Sequence, residues 1–315
     1  MLKTYGIIVP TPYPVGPVNV YLIKNDPITL VETGPDTQEA AQTLEHMLDL
    51  LGCKLADIKR ILISHYHPDH CGLARKIAAV SQAEVFIHPW DADKIDKQHD
   101  FYGARMPFFL ETGIPADVFK EVMGDKDGLP EPSLSNVRTI FVKGGESLSF
   151  DGGQLRILHC PGHSPGHLCA YNPEQKHFFS GDFMLSHITP NPLMEPDPDR
   201  PDTRLPSLKQ FMASLEVAEQ TEIAMVFPGH GGVFNDYHSV IKVAREHNQE
   251  QFEHIKKLLQ TGELNTYQLC MAIYPGLRKF GISLGLSEVL AHLDFMVEEG
   301  QIGCNKKKGI NYYFI

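Results

Sequence analysis

The chain has 315 residues, and 42% of them are hydrophobic, which is enough to fill the core of one large domain or two ordinary ones. The formal net charge of -11 argues against a protein that coats nucleic acid with its whole surface, although it leaves a local basic patch open. The sequence starts without a basic segment followed by an apolar run, and no stretch approaches the apolar length of a membrane span, so we expect a cytoplasmic protein without membrane contact.

Short strands and one amphipathic helix are predicted for the first 60 residues. The strands run from Val18 to Ile23 and from Ile28 to Glu32. Asp36, with Glu39 three residues later, predicts the start of the helix, and Gly52 predicts its end. Because the helix has one apolar face, we expect it to pack on a sheet.

Four apolar strands are each followed directly by a polar cluster. They are 60–64 before His65, 155–160 before His163, 177–180 before Asp182, and 224–227 before His230. A buried strand gives a rigid support, and the loop at its end carries the reactive side chain. We therefore expect the four loops to converge at one sheet edge and to form a single site.

The chain changes in character between residues 90 and 136, where charged residues, Pro and Gly alternate with aromatic residues that include Phe101, Tyr102, Phe108, Phe109 and Phe119. We interpret this segment as a helical insertion. Its aromatic side chains either line a pocket or anchor the insertion to the body of the protein, and the sequence leaves both interpretations open.

A helical pattern follows Asp236, with segments through Leu259, at Thr266–Ile273 and at Ser287–Glu299. A hairpin with Lys306–Gly309 at its tip ends the sequence. Three helices closed by a hairpin predict a small winged-helix-like module. We therefore divide the chain into a domain of residues 1–235 and a domain of residues 236–315.

The densest chemical signal is the run from residue 65 to residue 70, which contains His65, His67, Asp69 and His70. These side chains cannot all be buried without partners, because an unpaired buried imidazole or carboxylate is costly, and a divalent ion removes that cost. Alternation directs His65 and His67 to one position. Beyond Pro68, the other two ligands turn toward a second position, so the spacing predicts two metal ions.

The three other strand ends complete the set of ligands. We assign His65, His67 and His163 to the first metal, Asp69, His70 and His230 to the second, and Asp182 together with a hydroxide to the bridge between them. These nitrogen and oxygen ligands suit two divalent ions, with zinc preferred and iron or manganese also compatible. Asp69 lies near the expected nucleophile, and we assign it a catalytic role as a proton shuttle.

The motifs resemble those of the metallo-β-lactamase superfamily. The family pattern H-x-H-x-D-H stands at 65–70, and P-G-H-[ST]-x-G-H, S-G-D and P-G-H-G match at 161–167, 180–182 and 228–231. The resemblance implies an α/β fold, a four-layer αββα sandwich over about residues 5–235, and it places His167 outside the metal ligands. The family usually has Asp at the position of Glu32, so the hydrogen bonding behind the ligands is expected to differ.

The C-terminal part resembles the winged-helix extension of the β-lactamase-like protein 2 subfamily. The leading functional hypothesis is a dinuclear hydrolase in which two cations lower the pKa of a shared water from ~15.7 toward ~7 and the bridging hydroxide attacks a thioester, lactone or other small ester. The alternative is a metal-dependent ribonuclease or other phosphodiesterase whose C-terminal module holds RNA with Lys306, Lys307 and Lys308. The sequence leaves open whether the chain forms a homo-oligomer.

Overall fold

Two mixed β-sheets form the centre of the protein in a computed structural model that describes residues 1–96, 101–124 and 131–315, without the side chains of 101, 102, 123 and 124. The first sheet contains, in spatial order, β1 (Thr4–Val9), β2 (Val18–Ile23), β3 (Thr29–Val31), β4 (Arg60–Leu62), β5 (Glu84–Ile87) and β6 (Thr139–Phe141). Strands β1, β2 and β3 pair in antiparallel fashion. Strand β3 also pairs in parallel with β4, and the parallel pairing continues through β5 to β6.

The second sheet is built from later strands. These strands are β7 (Ser147–Phe150), β8 (Gly153–His159), β9 (Leu168–Asn172) and β10 (His177–Gly181), and, after a separate hairpin of β11 (Pro196–Asp197) and β12 (Arg200–Arg204), β13 (Met225–Pro228). The spatial order is β13-β10-β9-β8-β7, and only the β10–β13 pair is parallel within this sheet as described.

Helices cover both sheets. They are α1 (Gln38–Leu50), α2 (Pro68–Cys71), α3 (Ala74–Ser81), α4 (Pro89–Asp96), α5 (Phe101–Glu111), α6 (Ala116–Gly124), α7 (Ser207–Glu219), α8 (Tyr237–Leu259), α9 (Thr266–Ile273) and α10 (Phe280–Glu298). A further small sheet near the C-terminus has the order β14 (Leu264–Asn265), β16 (Ile310–Phe314), β15 (Gly303–Lys307).

Three apolar clusters define the layers. Side chains such as Leu62 and Phe179 fill the space between the two sheets. On the outer face of the first sheet, Leu44 of α1 packs in a second cluster, and on the outer face of the second sheet, Phe211 of α7 and Ile241 of α8 pack in a third. Burial of these faces holds helix, sheet, sheet and helix together, which confirms the predicted α/β class and its αββα layering.

The start of α1 differs from the prediction by one residue. The N-cap is Thr37, whose Oγ1 accepts a hydrogen bond from the Ala40 amide at 3.1 Å. Asp36, the predicted cap, instead forms an ion pair with Lys76 across 2.5 Å. Asp and Thr are both good N-cap residues. Thr37 is the cap here because the carboxylate of Asp36 pairs with Lys76 instead.

The C-terminal helices follow the prediction with one correction. Helix α9 has the predicted bounds, whereas α10 begins at Phe280 rather than at Ser287. The earlier turns are helical because Ile282 and Leu286 are buried in the same cluster as the later part of the helix. The hairpin of β15 and β16 turns within the predicted tip.

Helix α10 is long and apolar enough to cross a bilayer by length and composition, with a mean hydropathy of 1.4. The expectation that no stretch has this character is therefore wrong. However, 56% of the apolar window is buried inside the protein, and the helix packs against α7, α8 and α9. Contacts in a helical core account for its apolar composition.

The insertion between residues 90 and 136 is helical as predicted, with α4, α5 and α6 in its described parts. Phe108 and Phe109 are buried in the cluster that contains the C-terminal helices, and Phe119 packs against Phe109 with ring centroids 5.9 Å apart. These three aromatic residues therefore anchor the insertion. The predictions for Phe101 and Tyr102 concern side chains that lie outside the described residues.

Candidate metal centre

All seven predicted ligands lie at one end of the sandwich. The loop that carries His65 follows β4 in the first sheet, whereas His163, Asp182 and His230 follow β8, β10 and β13 in the second. The expectation of convergence at a single sheet edge is therefore wrong in detail, because the loops meet between the ends of two sheets. Sequence alone does not show which strands share a sheet.

The first group consists of His65, His67 and His163. The distance from His65 Nε2 to His67 Nδ1 is 2.8 Å, and the distance from His163 Nε2 to His67 Nδ1 is 3.1 Å. One ring nitrogen of each residue therefore faces a common point. Tetrahedral zinc with bonds of ~2.0–2.1 Å to nitrogen places neighbouring ligand atoms roughly 3.3–3.4 Å apart, so this group has nearly the size that such an ion requires.

The second group consists of Asp69, His70 and His230. Asp69 and His70 lie in α2, which Pro68 begins, so these two side chains leave the direction of the preceding ligands. His230 Nε2 is 3.2 Å from His70 Nε2 and 3.3 Å from Asp69 Oδ2. The three ligand atoms form a second compact cluster.

Asp182 lies between the two groups. Its Oδ1 is 3.4 Å from His70 Nε2, and its Oδ2 is 3.6 Å from His230 Nε2 and 3.9 Å from His163 Nε2. Oδ1 is buried without a hydrogen-bond partner among the described residues. A buried carboxylate whose two oxygens face imidazoles of both groups fits a cation in either group.

The far side of each imidazole shows which nitrogen is free to bind a cation. His163 Nδ1 donates to the Asn191 carbonyl at 3.1 Å, and His230 Nδ1 donates to the Pro17 carbonyl at 2.8 Å. A carbonyl only accepts, so each Nδ1 carries a proton, and in the neutral imidazole that binds a metal each Nε2 presents a lone pair to the centre of the site. Ser64 Oγ lies 2.9 Å from His65 Nδ1, and because a hydroxyl both donates and accepts, this contact orients the ring without fixing its tautomer.

Burial and mutual repulsion keep several imidazoles neutral. Burial lowers the pKa of His65 well below its usual value, and the neighbouring imidazoles lower this pKa further. The pKa of His67 is also lowered by burial and by His163. Burial opposes ionisation of Asp182, but His70 and His230 outweigh it and hold the pKa of this carboxyl well below its usual range. Neutral His65 and His67 and ionised Asp182 are the forms that bind metals, whereas Asp182 and Asp69 outweigh burial and raise the pKa of His70 and His230, which lose a proton when a metal binds.

Glu32 lies behind His70 at the position where the resemblance predicts different hydrogen bonding. Its Oε1 is 3.6 Å from His70 Nδ1, which is too long for a hydrogen bond, and both atoms are buried without a hydrogen-bond partner among the described residues. Its other oxygen accepts from the Ser64 amide at 3.4 Å. Glu32 has a φ of 66°, a conformation that is uncommon for a residue with a side chain.

His167 lies outside the two groups, as the resemblance implies. It is buried, and its Nε2 accepts a hydrogen bond from the Asp182 amide at 3.2 Å. His167 therefore supports the backbone of the residue that lies between the groups. Cys71 is also buried, and its thiol donates to the carbonyls of Tyr66 and His67 at 3.2 Å.

Two acidic residues that the motifs do not include hold the ligand loops in place. Asp91 accepts hydrogen bonds from the Tyr66 amide at 3.1 Å, from Ser164 Oγ at 2.6 Å and from the Gly166 amide at 2.7 Å. It thereby joins the loop of His65 and His67 to the loop of His163. Glu195 accepts a hydrogen bond from the Tyr66 hydroxyl at 2.7 Å.

The last motif requires glycine at position 229, because a side chain there would clash with two of the candidate ligands. A Cβ atom at Gly229 would collide with Asp182 Oδ1 and lie 2.8 Å from His70 Cε1. The Gly229 carbonyl also accepts a hydrogen bond from the Asn19 amide at 2.7 Å, which ties this loop to β2 in the first sheet. The loop before His230 therefore passes so close to the other ligands that a side chain does not fit.

Comparisons with known proteins agree with this geometry. The family model of the metallo-beta-lactamase superfamily matches residues 13–230. The chain is 30% identical to the probable metallo-hydrolase YqjP of Bacillus subtilis, with 94% of this chain and 93% of the relative covered. It is 23% identical to the beta-lactamase-like protein 2 homolog of Drosophila melanogaster, with 90% and 83% covered. The crystal structure of the metallo-beta-lactamase family protein TTHA1429 from Thermus thermophilus matches with a TM-score of 0.82 and 30% identity, covering 99% and 98%.

Two further relatives are named as hydrolases. Hydroxyacylglutathione hydrolase GloC of Haemophilus influenzae is 28% identical, with 50% of this chain and 60% of the relative covered. Atrochrysone carboxyl ACP thioesterase of Emericella nidulans is 22% identical, with 94% and 79% covered. The family match, the named relatives and the clustered imidazoles and carboxylates lead to one conclusion: the chain belongs to the metallo-β-lactamase superfamily and is a metal-dependent hydrolase.

Proposed function

We propose that the protein hydrolyses a thioester, lactone or other small ester at a centre of two divalent ions, with zinc preferred. In this proposal His65, His67 and His163 bind one ion, Asp69, His70 and His230 bind the other, and Asp182 bridges them. The observation that carries the proposal is the position of Asp182, whose two carboxylate oxygens face the imidazoles of both groups. Two ions held by this set would supply hydroxide at neutral pH, because such ions lower the pKa of water from ~15.7 toward ~7.

The residues of the chain have separate tasks in this reaction. The Asn191 and Pro17 carbonyls hold a proton on Nδ1 of His163 and His230, and Ser64 orients the ring of His65, so the ligand nitrogens are oriented before substrate arrives. Asp69 Oδ2 faces the same space as His230 Nε2, and we propose that this carboxylate accepts the proton from the attacking water and transfers it to the leaving group.

The substrate class is supported by the relatives and by charge. One relative is a hydroxyacylglutathione hydrolase and another is an ACP thioesterase, and both names describe hydrolysis of an acyl compound. The net charge of -11 disfavours a polyanionic substrate such as RNA, because like charges repel during association. The negative charge of the protein does not repel a neutral acyl group.

The lysines at the hairpin tip give little support to the RNA alternative. Lys306 Nζ pairs with Glu111 across 2.7 Å, and Lys307 pairs with Glu263. Two of the three lysines are therefore neutralised by carboxylates within the same chain. A phosphate backbone would have to displace these partners before it gained the contacts.

We propose further that residues 236–315 form a winged-helix-like domain that supports the insertion. The order α8, β14, α9, α10, β15 and β16 supports this classification. The domain contacts the insertion through a hydrogen bond from the Tyr267 amide to the Thr112 carbonyl at 2.9 Å and through the pair of Lys306 with Glu111. These contacts favour a role in positioning the insertion.

An activity panel tests the proposal. Purified protein with known metal content is assayed on thioesters, lactones, bis-p-nitrophenyl phosphate and single-stranded RNA, with Asp182→Ala as the variant without the bridging carboxylate. We expect hydrolysis of the acyl substrates that is lost with a chelator and in Asp182→Ala. Cleavage of RNA alone, reduced when Lys306, Lys307 and Lys308 are changed to Ala, would instead establish the phosphodiesterase.

A further inference from the structure

A cavity of about 440 Å³ lies between helix α8 and the segment that follows Asp182. Residues 183–190 form one wall, and Val240, Val243 and Ala244 of α8 lie on the opposite wall. The volume is within the range of ~300–1,000 Å³ that is usual for small-molecule pockets. The cavity can therefore accommodate a group much larger than an acetyl group.

One wall of the cavity is built from residues that neighbour candidate metal ligands in the chain. This wall begins at Phe183, the residue after Asp182, and ends at Pro190, the residue before Asn191. Asn191 accepts the hydrogen bond from His163 Nδ1 at 3.1 Å. His187, in the middle of the wall, packs on the residue after His230, because a Cβ atom at Gly231 would lie 2.9 Å from His187 Nδ1. The wall thus connects elements of both ligand groups.

The lining exposes apolar side chains from both walls. Ile188 is 45% exposed and Val243 is 58% exposed, although both are large hydrophobic residues. Below them, Phe211 and Leu215 of α7 are buried and form an apolar floor. An apolar group that covers these side chains removes their surface from water, which favours binding.

The charged groups of the cavity select against an anion. Glu246 and Glu250 of α8 are part of the lining, and the described residues of the lining include no Lys or Arg. His247, the other titratable residue with which α8 lines the cavity, is already hydrogen-bonded to Glu288 at 3.1 Å. The phosphate or carboxylate of a carrier would lie near two glutamates here, whereas a hydrocarbon chain would not be repelled.

We propose that this cavity binds the uncharged acyl chain of the substrate, with the carbonyl group at the metal centre and the leaving group directed elsewhere. The inference rests on the proposed function and makes it more specific, because it selects medium-chain acyl compounds over acetyl compounds. Each methylene group that enters the cavity is expected to raise kcat/KM roughly fourfold until the cavity is filled.

Uncharged thioesters of N-acetylcysteamine with acyl chains from acetyl to dodecanoyl test the proposal on the metal-loaded protein. The variant Val243→Trp places a large side chain in the cavity. The control Val217→Trp makes the same change on α7, at a residue that is 42% exposed and is not part of the lining. We expect the ratio of kcat/KM for octanoyl to kcat/KM for acetyl to fall about tenfold or more in Val243→Trp, while Val217→Trp keeps the wild-type ratio and the wild-type activity.

Three results would overturn the inference. They are a wild-type rate that does not depend on chain length, an equal loss for acetyl and octanoyl in Val243→Trp, and a change of oligomeric state in Val243→Trp without an effect on octanoyl turnover. If no thioester, lactone or other ester is hydrolysed at all, the proposed function fails, and a binding measurement tests the role of the cavity separately. Calorimetry with the octanoyl amide analogue should then show binding to wild type and Val217→Trp and loss of binding in Val243→Trp. Equal binding by all three proteins would refute the proposal that the cavity binds the acyl chain.

Discussion

The Tyr66 hydroxyl donates a hydrogen bond to Glu195 across 2.7 Å, and both side chains are buried directly behind the metal centre. Glu195 also pairs with Arg105 of the insertion and, across 2.5 Å, with Lys94. Tyr66 stands between His65 and His67 in the chain, and its amide is held by Asp91. The peptide that carries two ligands is therefore fixed both at its backbone and through its intervening side chain.

Removal of the Glu195 carboxylate should lower the free energy of unfolding far more than removal of the Tyr66 hydroxyl. Burial opposes ionisation of Glu195, but Arg105 and Lys94 outweigh it and lower its pKa to about 2. Glu195→Gln leaves two cations without their anion and should reduce the free energy of unfolding by about 3 kcal/mol at pH 7. Tyr66→Phe leaves these pairs intact and should cost about 1 kcal/mol. Urea unfolding of both variants measures the difference, and equal losses would contradict the assigned pairing.

A methyl group at Gly162 should displace His163. Gly162 has a φ of 140°, and a Cβ atom there would lie 2.5 Å from Phe211 Cβ. Gly162→Ala should therefore lower turnover by about tenfold or more and reduce stability by ~1–3 kcal/mol. Gly232→Ala is the matched control, because a Cβ atom at that position has no neighbour within 4 Å. Wild-type turnover in Gly162→Ala would show that the loop does not determine the position of His163.

The pair of His247 and Glu288 should make stability depend on pH near neutrality. The hydrogen bond to Glu288 raises the pKa of His247 above its usual 6.5, while burial opposes the rise and Glu250 adds to it. A raised pKa stabilises the fold fully below pH 6.5, and this contribution is lost as the pH rises through the higher value. The nearby His292 is buried, and burial lowers its pKa, so it does not oppose this charge.

Glu288→Gln should remove this dependence. Because the His247 side chain is 32% exposed, we expect the wild type to lose no more than about 1 kcal/mol relative to the variant between pH 6.5 and roughly pH 8. Chemical unfolding at both pH values measures the change. Parallel pH profiles for wild type and variant would exclude a charged His247.

Substitution of a ligand should abolish turnover without unfolding the protein. His67→Ala removes a nitrogen that is 2.8 Å from His65 Nε2 and 3.1 Å from His163 Nε2, so the proposed first ion would lose one of its three imidazoles. Turnover should fall by orders of magnitude. His46→Ala, at an exposed position of α1, should retain full activity. Equal activities in the two variants would contradict the role of His67.

The sequence predicts those parts of the site that depend on local order. The run from His65 to His70 and the strand ends before His163, Asp182 and His230 are visible as patterns because each ligand stands next to its supporting strand. The structure brings all seven residues together. The bounds of α9 were predicted for the same reason, since a helical pattern is a local feature of the sequence.

The remaining features depend on contacts between distant parts of the chain. Glu195 lies 129 residues from Tyr66, and Asp91 lies 75 residues from Gly166, so no spacing rule connects them. The distribution of the four ligand loops over two sheets requires the strand pairing. The cavity likewise forms only when α8 packs near residues 183–190.

Elemental analysis of the purified protein, after incubation with zinc and removal of unbound metal, tests the central claim most directly. The clustered ligands predict two ions per chain in the wild type, and fewer in Asp182→Ala, which lacks the carboxylate between the two groups. Wild-type protein that binds no zinc, iron or manganese, or that hydrolyses its substrate equally well after complete removal of metal, would contradict the account.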